Sequence, residues 1–176
     1  MGHQEIKNDA MVGAYPVCAS CGAKSVVRDA WAKWSGLTHE WVLKSVFDQF
    51  ACDKCGESGE PVWKIDQDFR TKRICRLNDE MRIGSFKHGT VVVTSGVQAL
   101  DDEWRAALVN GIGLFDDFSE DNDPHGEHDF GSLEIEGKKF FWKIDYYDLE
   151  MKAHSPDSAN PDLTHRVLTI MFAHEY

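Results

Sequence analysis

Residues 18–56 read "CASCGAKSVVRDAWAKWSGLTHEWVLKSVFDQFACDKCG", and a C-x-x-C-G signature stands at each end. The C-x-x-C spacing lets two thiolates reach one ion from a tight knuckle, and the following Gly relieves the backbone where it turns back beneath the sulfurs. Two knuckles, at Cys18 and Cys21 and at Cys52 and Cys55, supply a closed tetrahedral four-sulfur shell, the usual arrangement for structural zinc. The intervening sequence accounts for their wide separation. "KSVVRDAWAKW" and "EWVLKSVFDQFAC" read as two strands joined across "SGLTH", so a β-hairpin leaves one knuckle and returns to the other. This is the zinc-ribbon design, and so small a unit needs its metal to fold. Trp31, Trp34 and Trp41 are expected in the hairpin core, with a stacking platform as the less common alternative, and His39 in the solvated turn. Paired disulfides would suit an exported chain, and a redox C-x-x-C would want a βαβ context; neither is present.

Working outward, the ribbon is assigned residues 15–63, preceded by a disordered start over 1–14. The opening "MGHQEIKNDA" lacks the basic-then-apolar pattern of a secretory leader, and no apolar run nears the roughly 18 residues that span a bilayer. A cytoplasmic protein is expected, with no membrane partner. Lys and Arg against Asp and Glu number 10 and 10 in residues 1–73 but 9 and 20 in residues 74–176, so the second half carries the whole net charge of −11. Such a field repels phosphate backbones and favours cations or basic partners, which argues against direct nucleic-acid binding by that half.

The segment "ESGEPVWKIDQDFRTK" reads as a connector, and the second domain as residues 71–176. In "TKRICRLNDEMR", Ile74, Leu77, Asn78 and Met81 recur at helical spacing, with Thr71 as cap and Cys75 one step off the stripe as a small hydrophobe. "GTVVVT" predicts a strand buried on both faces. "SGVQALDDEWRAALVNGIGLF" predicts two short helices or one broken helix, with Leu100, Trp104, Ala107 and Leu108 inward. Leu133 and Ile135, a tight turn at Glu136-Gly137 or Gly137-Lys138, and the alternating Phe140, Trp142, Ile144 and Tyr146 predict a hairpin with one apolar face. "THRVLTIMFAHEY" is a final strand. The fold class is therefore α+β: a Cys₄ zinc-ribbon hairpin followed by a small α+β domain with an antiparallel sheet.

Between these elements, residues 116–131 read "DDFSEDNDPHGEHDFG". Three kinds of chemistry fit. Alternating Asp121, Asp123, His125 and Asp129 around Gly126 resemble a calcium loop, but Ser132 stands where the bidentate Glu should be; a looser second divalent-cation site remains open. Glu127, His128 and Asp129 are the residue types of a metal-dependent hydrolase or nuclease, provided that His154, His165 or His174 returns to complete the ligand set. A self-bonded Asx turn is the structural alternative, leaving Asp116, Asp117, Glu120, Asp121, Asp123 and His125 as a binding face.

From about Ile74 to Tyr176, "RLNDEMR", "FDDFSEDNDPHGEHDFG", "FFWKIDYYD" and "RVLTIMFAHEY" resemble a bacterial family catalogued as domain of unknown function 3768. Its members are often small proteins of plasmids, phages and proteobacterial chromosomes. The matching positions Asp116, Asp117, Glu120, Asp121, Asn122, Asp123, Gly126, Glu127, His128 and Asp129 fall inside the acidic loop, and the resemblance implies no reaction. The expected function is a zinc-binding, non-enzymatic regulatory protein engaging a protein partner through its acidic surface, for instance by antagonising a host defence system or mimicking DNA. The hydrolase is the alternative.

Overall fold

A computed structural model describes residues 10–87 and 89–176. The chain divides into two compact units whose sequence boundary lies between Asp66 and Gln67. The expected disordered start lies outside the described residues as far as position 9; Ala14 already opens the first strand.

The first unit holds β1 (Ala14–Val17), β2 (Val26–Ser35), β3 (Glu40–Cys52) and β4 (Val62–Ile65). β2 and β3 form the antiparallel hairpin, from Val26 opposite Cys52 to Ser35 opposite Glu40, with two register shifts along it. His39 closes the turn in the left-handed region, φ 56°, and its N–H donates to the Ser35 carbonyl at 2.9 Å. β1 and β4 pair antiparallel, so the chain enters and leaves the ribbon on neighbouring strands. The connector reading missed β4, whose four residues are too few to establish a period.

The aromatic residues of the hairpin correct the expectation of a core. Trp31, Trp34 and Trp41 are 61, 54 and 70% exposed. A two-stranded ribbon has no second layer to bury either face. Its rings instead meet one another across the strands, Trp34 against Trp41 at 5.7 Å and Trp31 against Phe47 at 5.3 Å.

The second unit runs α1 (Gln67–Arg82), β5 (Gly89–Val93), α2 (Ser95–Gln98), α3 (Asp102–Gly113), β6 (Phe130–Ile135), β7 (Lys138–Tyr147) and β8 (His165–Phe172), with a 3₁₀ turn at Ala173–Glu175. Helix α1 starts four residues before Thr71, which lies inside it. The sheet has the order β5-β8-β7-β6. β6, β7 and β8 are antiparallel, whereas β5 lies parallel to β8 at the edge. The edge position corrects the expectation that "GTVVVT" is buried on both faces, since Val92 is 41% exposed.

β7 alternates as its sequence requires: Phe140, Trp142, Ile144 and Tyr146 are buried, and the residues between them less so. The β6–β7 turn is Glu136-Gly137, with φ of 48° and 74°, the left-handed pair that a two-residue hairpin needs. Asp101 caps α3 by accepting the Trp104 N–H. The buried face of α3 runs through Leu108 and Ile112, while Ala107 is exposed. Helix α3 also continues through Gly111, which approaches Leu133 where a Cβ would stand 3.3 Å from it. With Ile74 and Met81 of α1, these side chains cover the apolar face of β7 and β8.

Candidate functional site

The hairpin brings the two knuckles together. The Sγ atoms of Cys18, Cys21, Cys52 and Cys55 all lie within 4.8 Å of one another. Cys18 and Cys55 are 3.6 Å apart and Cys21 and Cys52 are 3.7 Å apart. These are too long for the roughly 2.05 Å of a disulfide. They match the edge of about 3.8 Å expected for a tetrahedron with metal–sulfur bonds of about 2.3 Å.

The knuckles are built alike. Cys18 donates its N–H to the Ala23 carbonyl and Cys52 to that of Glu57; Gly22 and Gly56, at φ of 70° and 77°, bond back to the carbonyls of Cys18 and Cys52. The Cys21 N–H points at Cys18 Sγ at 3.5 Å, and this bond, against some desolvation, brings the Cys18 thiol down to about 6. Cys55 moves the other way: the Glu57 N–H favours its thiolate, but hydrogen bonding to the neighbouring sulfurs, Cys21 first, and burial push it up to about 12. Four thiols crowded this closely resist losing all their protons unless a cation joins them. The residues present fit a metal ion, with no position left open for water.

The acidic loop divides its residues into two sets. Asp116, Asp117, Glu120, Asp121 and His125 are exposed. Asp123 is buried, and its two oxygens accept the N–H groups of Glu127 at 2.9 Å and His128 at 3.2 Å. Asn122 accepts the Ser119 N–H and donates to the Asp117 carbonyl. These are the Asx-type bonds by which short polar side chains hold a turn. His128 adopts φ 54°, in the left-handed region that few residues other than Gly enter. Its ring stacks on Phe118 at 3.6 Å, and its Nδ1 meets Asp79 of α1 at 2.9 Å.

Behind the loop lies a polar network that sequence reasoning missed. Tyr146 of β7 donates to Glu127 and accepts from Asn78 of α1 at 2.7 Å. Asn78 also donates to the Glu127 carbonyl and accepts from Arg166 Nε of β8. Asp79 is shared by His128, Arg82 and the Cys75 thiol. The available signal was in α1, where Asn78 interrupts an otherwise apolar stripe and Asp79 and Arg82 flank it. A buried Asn at such a position needs partners from other elements.

The environment sets the charges. Burial raises Glu127 above the usual carboxylate range despite the Tyr146 bond, with Asp129 adding to the effect; burial, then Asp123, raises Asp129 likewise. Asp79 falls below its ordinary value because the Arg82 and His128 bonds outweigh its desolvation. Burial and the Asp79 charge push the Cys75 thiol up to about 11, so it stays protonated and inert near neutrality.

Among the described residues, two groups of three or more potential ligands converge: the four cysteines, and Cys75, Asp79 and His128. The calcium-like set and Glu127, His128 and Asp129 form no such group, and His154, His165 and His174 join none. His165 instead meets Thr90 at 2.9 Å, and His174 stacks on Phe172.

Fold and site together define a ribbon protein with a four-thiol metal-binding arrangement, continued in sequence by an α+β unit. The C-terminal part is more specific: residues 93–175 match the family described as "Protein of unknown function (DUF3768)". The match takes in the acidic loop and β6–β8 and begins at the last residue of β5, later than the resemblance expected from Ile74. Helix α1, with Cys75, Asn78 and Asp79, lies before it. No match was found among curated proteins or among solved structures. Among the described residues, no helix is long and apolar enough to cross a membrane.

Proposed function

We propose that this is a zinc-stapled, non-enzymatic binding protein that engages a basic protein surface through its acidic loop. The observation that carries this reading is the division of the loop. Asp123, Glu127, His128 and Asn122 spend their polar groups on holding the turn, whereas Asp116, Asp117, Glu120 and Asp121 point outward with carboxylates that accept no hydrogen bond among the described residues. A preorganised row of unpaired carboxylates suits electrostatic recognition of Lys and Arg. Covering a DNA-binding surface on a host defence protein is one concrete form of this activity. Zinc is the favoured metal because four thiolates at this spacing select a soft tetrahedral ion, and free thiols fit a reducing, cytoplasmic setting.

The hydrolase reading is weaker. The trio Cys75, Asp79 and His128 favours it, since these atoms converge. Against it, Arg82 already neutralises Asp79, and a thiol held near 11 is a poor ligand at neutral pH.

Two measurements test these readings. Metal analysis of the purified chain should give one zinc per molecule, retained in His128→Ala and lost in Cys52→Ser. Binding to a cationic test protein such as a histone should fall at least tenfold on replacing Asp116, Asp117, Glu120 and Asp121 with their amides. Asp123 is left intact because it holds the loop. Undiminished binding by the quadruple variant rejects the acidic face, and a second zinc lost with His128 revives the hydrolase.

A further inference from the structure

The second unit also holds a cleft of about 240 Å³ with the opposite charge, lined by none of the acidic loop's residues. Helix α1 contributes Arg73, Arg76 and Glu80, the turn before β5 contributes Lys87, and β8 contributes Arg166. Four cations thus face one carboxylate in a chain whose net charge is −11. Ordinary solvation of a charged face does not explain the arrangement, because Arg166 is only 2% exposed.

Arg166 is held in a fixed orientation with one nitrogen unspent. Its Nε donates to Asn78 at 3.0 Å, its Nη2 donates to the Ser158 carbonyl at 2.6 Å, and its guanidinium lies 5.4 Å from the Tyr146 ring centroid. Its Nη1 is buried without a hydrogen-bond partner. None of its hydrogen-bond partners is a carboxylate, and the charges of Glu127 and Glu80 act on it only through space. A buried guanidinium N–H is costly unless something accepts a hydrogen bond from it. Arg73 is fixed in the same way, donating Nε to the Ala159 carbonyl at 3.1 Å. Arg76 meets Glu80 loosely, at 3.6 Å, and stays 61% exposed at its side chain, free to turn inward.

We propose that this cleft binds a small phosphate-bearing ligand. Arg73, anchored at Nε, presents its terminal nitrogens as a fork, the geometry that matches the oxygens of a phosphoryl group, and Arg166 keeps Nη1 alone unspent. Leu77, Met81 and Pro161 supply an apolar wall beside the cations, suited to the carbon portion of an organic phosphate. The volume lies below the roughly 300–1,000 Å³ of sites for drug-sized ligands, which selects a compact molecule of sugar-phosphate size. The site is independent of the acidic face and survives if that reading fails.

Calorimetric titration of the full zinc-loaded chain tests this, with inorganic phosphate, glucose 6-phosphate and glucose as probes. Ionic strength is held constant with chloride. Phosphate and glucose 6-phosphate should bind and glucose should not. The Arg76→Gln, Lys87→Gln double variant, altering exposed side chains only, should weaken binding at least tenfold. Amide chemical shifts give a second readout independent of that variant, with perturbations expected at Ser85, Lys87 and Asp162. No binding beyond that of chloride, undiminished affinity in the double variant, or shifts confined to other surfaces would each overturn the proposal.

Discussion

Gly131 faces Trp142 across the β6–β7 ladder, and a Cβ there would stand 2.6 Å from the indole ring. Trp142 is fully buried and hemmed in by Phe115 and Phe118, so it cannot retreat. Overpacking of this kind costs about 1–3 kcal/mol, and Gly131→Ala should lower the urea midpoint accordingly. Charge at single residues gives a second test. Glu127 and Asp129 have raised values in the folded protein, so the native state binds protons more tightly than the unfolded chain. Their contribution to stability therefore falls as pH rises through the interval above the ordinary values of 4.5 and 3.8, and returns on mild acidification. Asp79 works in the opposite sense: its contribution is complete above 3.8 and is lost as pH falls through its lowered native value. Glu127→Gln keeps an acceptor for Tyr146 but removes the charge. Its urea midpoints, followed from pH 4 to 8, should show a flatter decline toward neutrality than the parent. An unchanged slope would mean that Glu127 is not the strained carboxylate.

At the level of elements, burial separates aromatic residues that look alike in the sequence. Trp41 and Trp142 both sit in alternating strands, yet one is 70% exposed and the other fully buried. Trp41→Ala forfeits a cross-strand pair and should cost about 1 kcal/mol or less, whereas Trp142→Ala should cost about 3–5 kcal/mol, as chemical unfolding will report. The alternation of β7, its two-residue turn and the two knuckles could be read directly, because each rests on local period or local backbone geometry. What could not be read is set by partners distant in sequence. No local pattern says that a hairpin stays uncovered, that β5 joins β8 in parallel at an edge, or that Ile112 rather than Ala107 turns inward. The site divides in the same way: the four cysteines declare themselves by spacing, while the Asn78–Tyr146–Arg166 network exists only where α1, β7 and β8 meet. A metal held by the four cysteines would decide whether the first unit holds its shape. Removal by a strong chelator should abolish the protection of β2 and β3 amides against exchange while β7 and β8 remain protected.

For the molecule as a whole, the excess charge bears on whether the loop carboxylates serve stability or recognition. Residues 74–176 carry 20 acidic against 9 basic side chains, and the ion pairs present are mostly solvent-facing pairs worth about 1 kcal/mol or less each. Self-repulsion of the remainder is screened beyond about 10 Å at 0.1 M salt. The unfolding midpoint should accordingly rise between about 10 and 200 mM sodium chloride and then level off. Amide replacement of Asp116, Asp117, Glu120 and Asp121 distinguishes the two roles. If these side chains brace the loop, the variant loses stability at every salt concentration. If they are held outward for a partner, the variant gains stability at low salt, most of that gain disappears at high salt, and binding to cationic protein is lost. The second outcome is expected, because Asp123 and Asn122 already supply the bonds that shape the turn, so the four exposed carboxylates add repulsion and, among the described residues, no bond of their own.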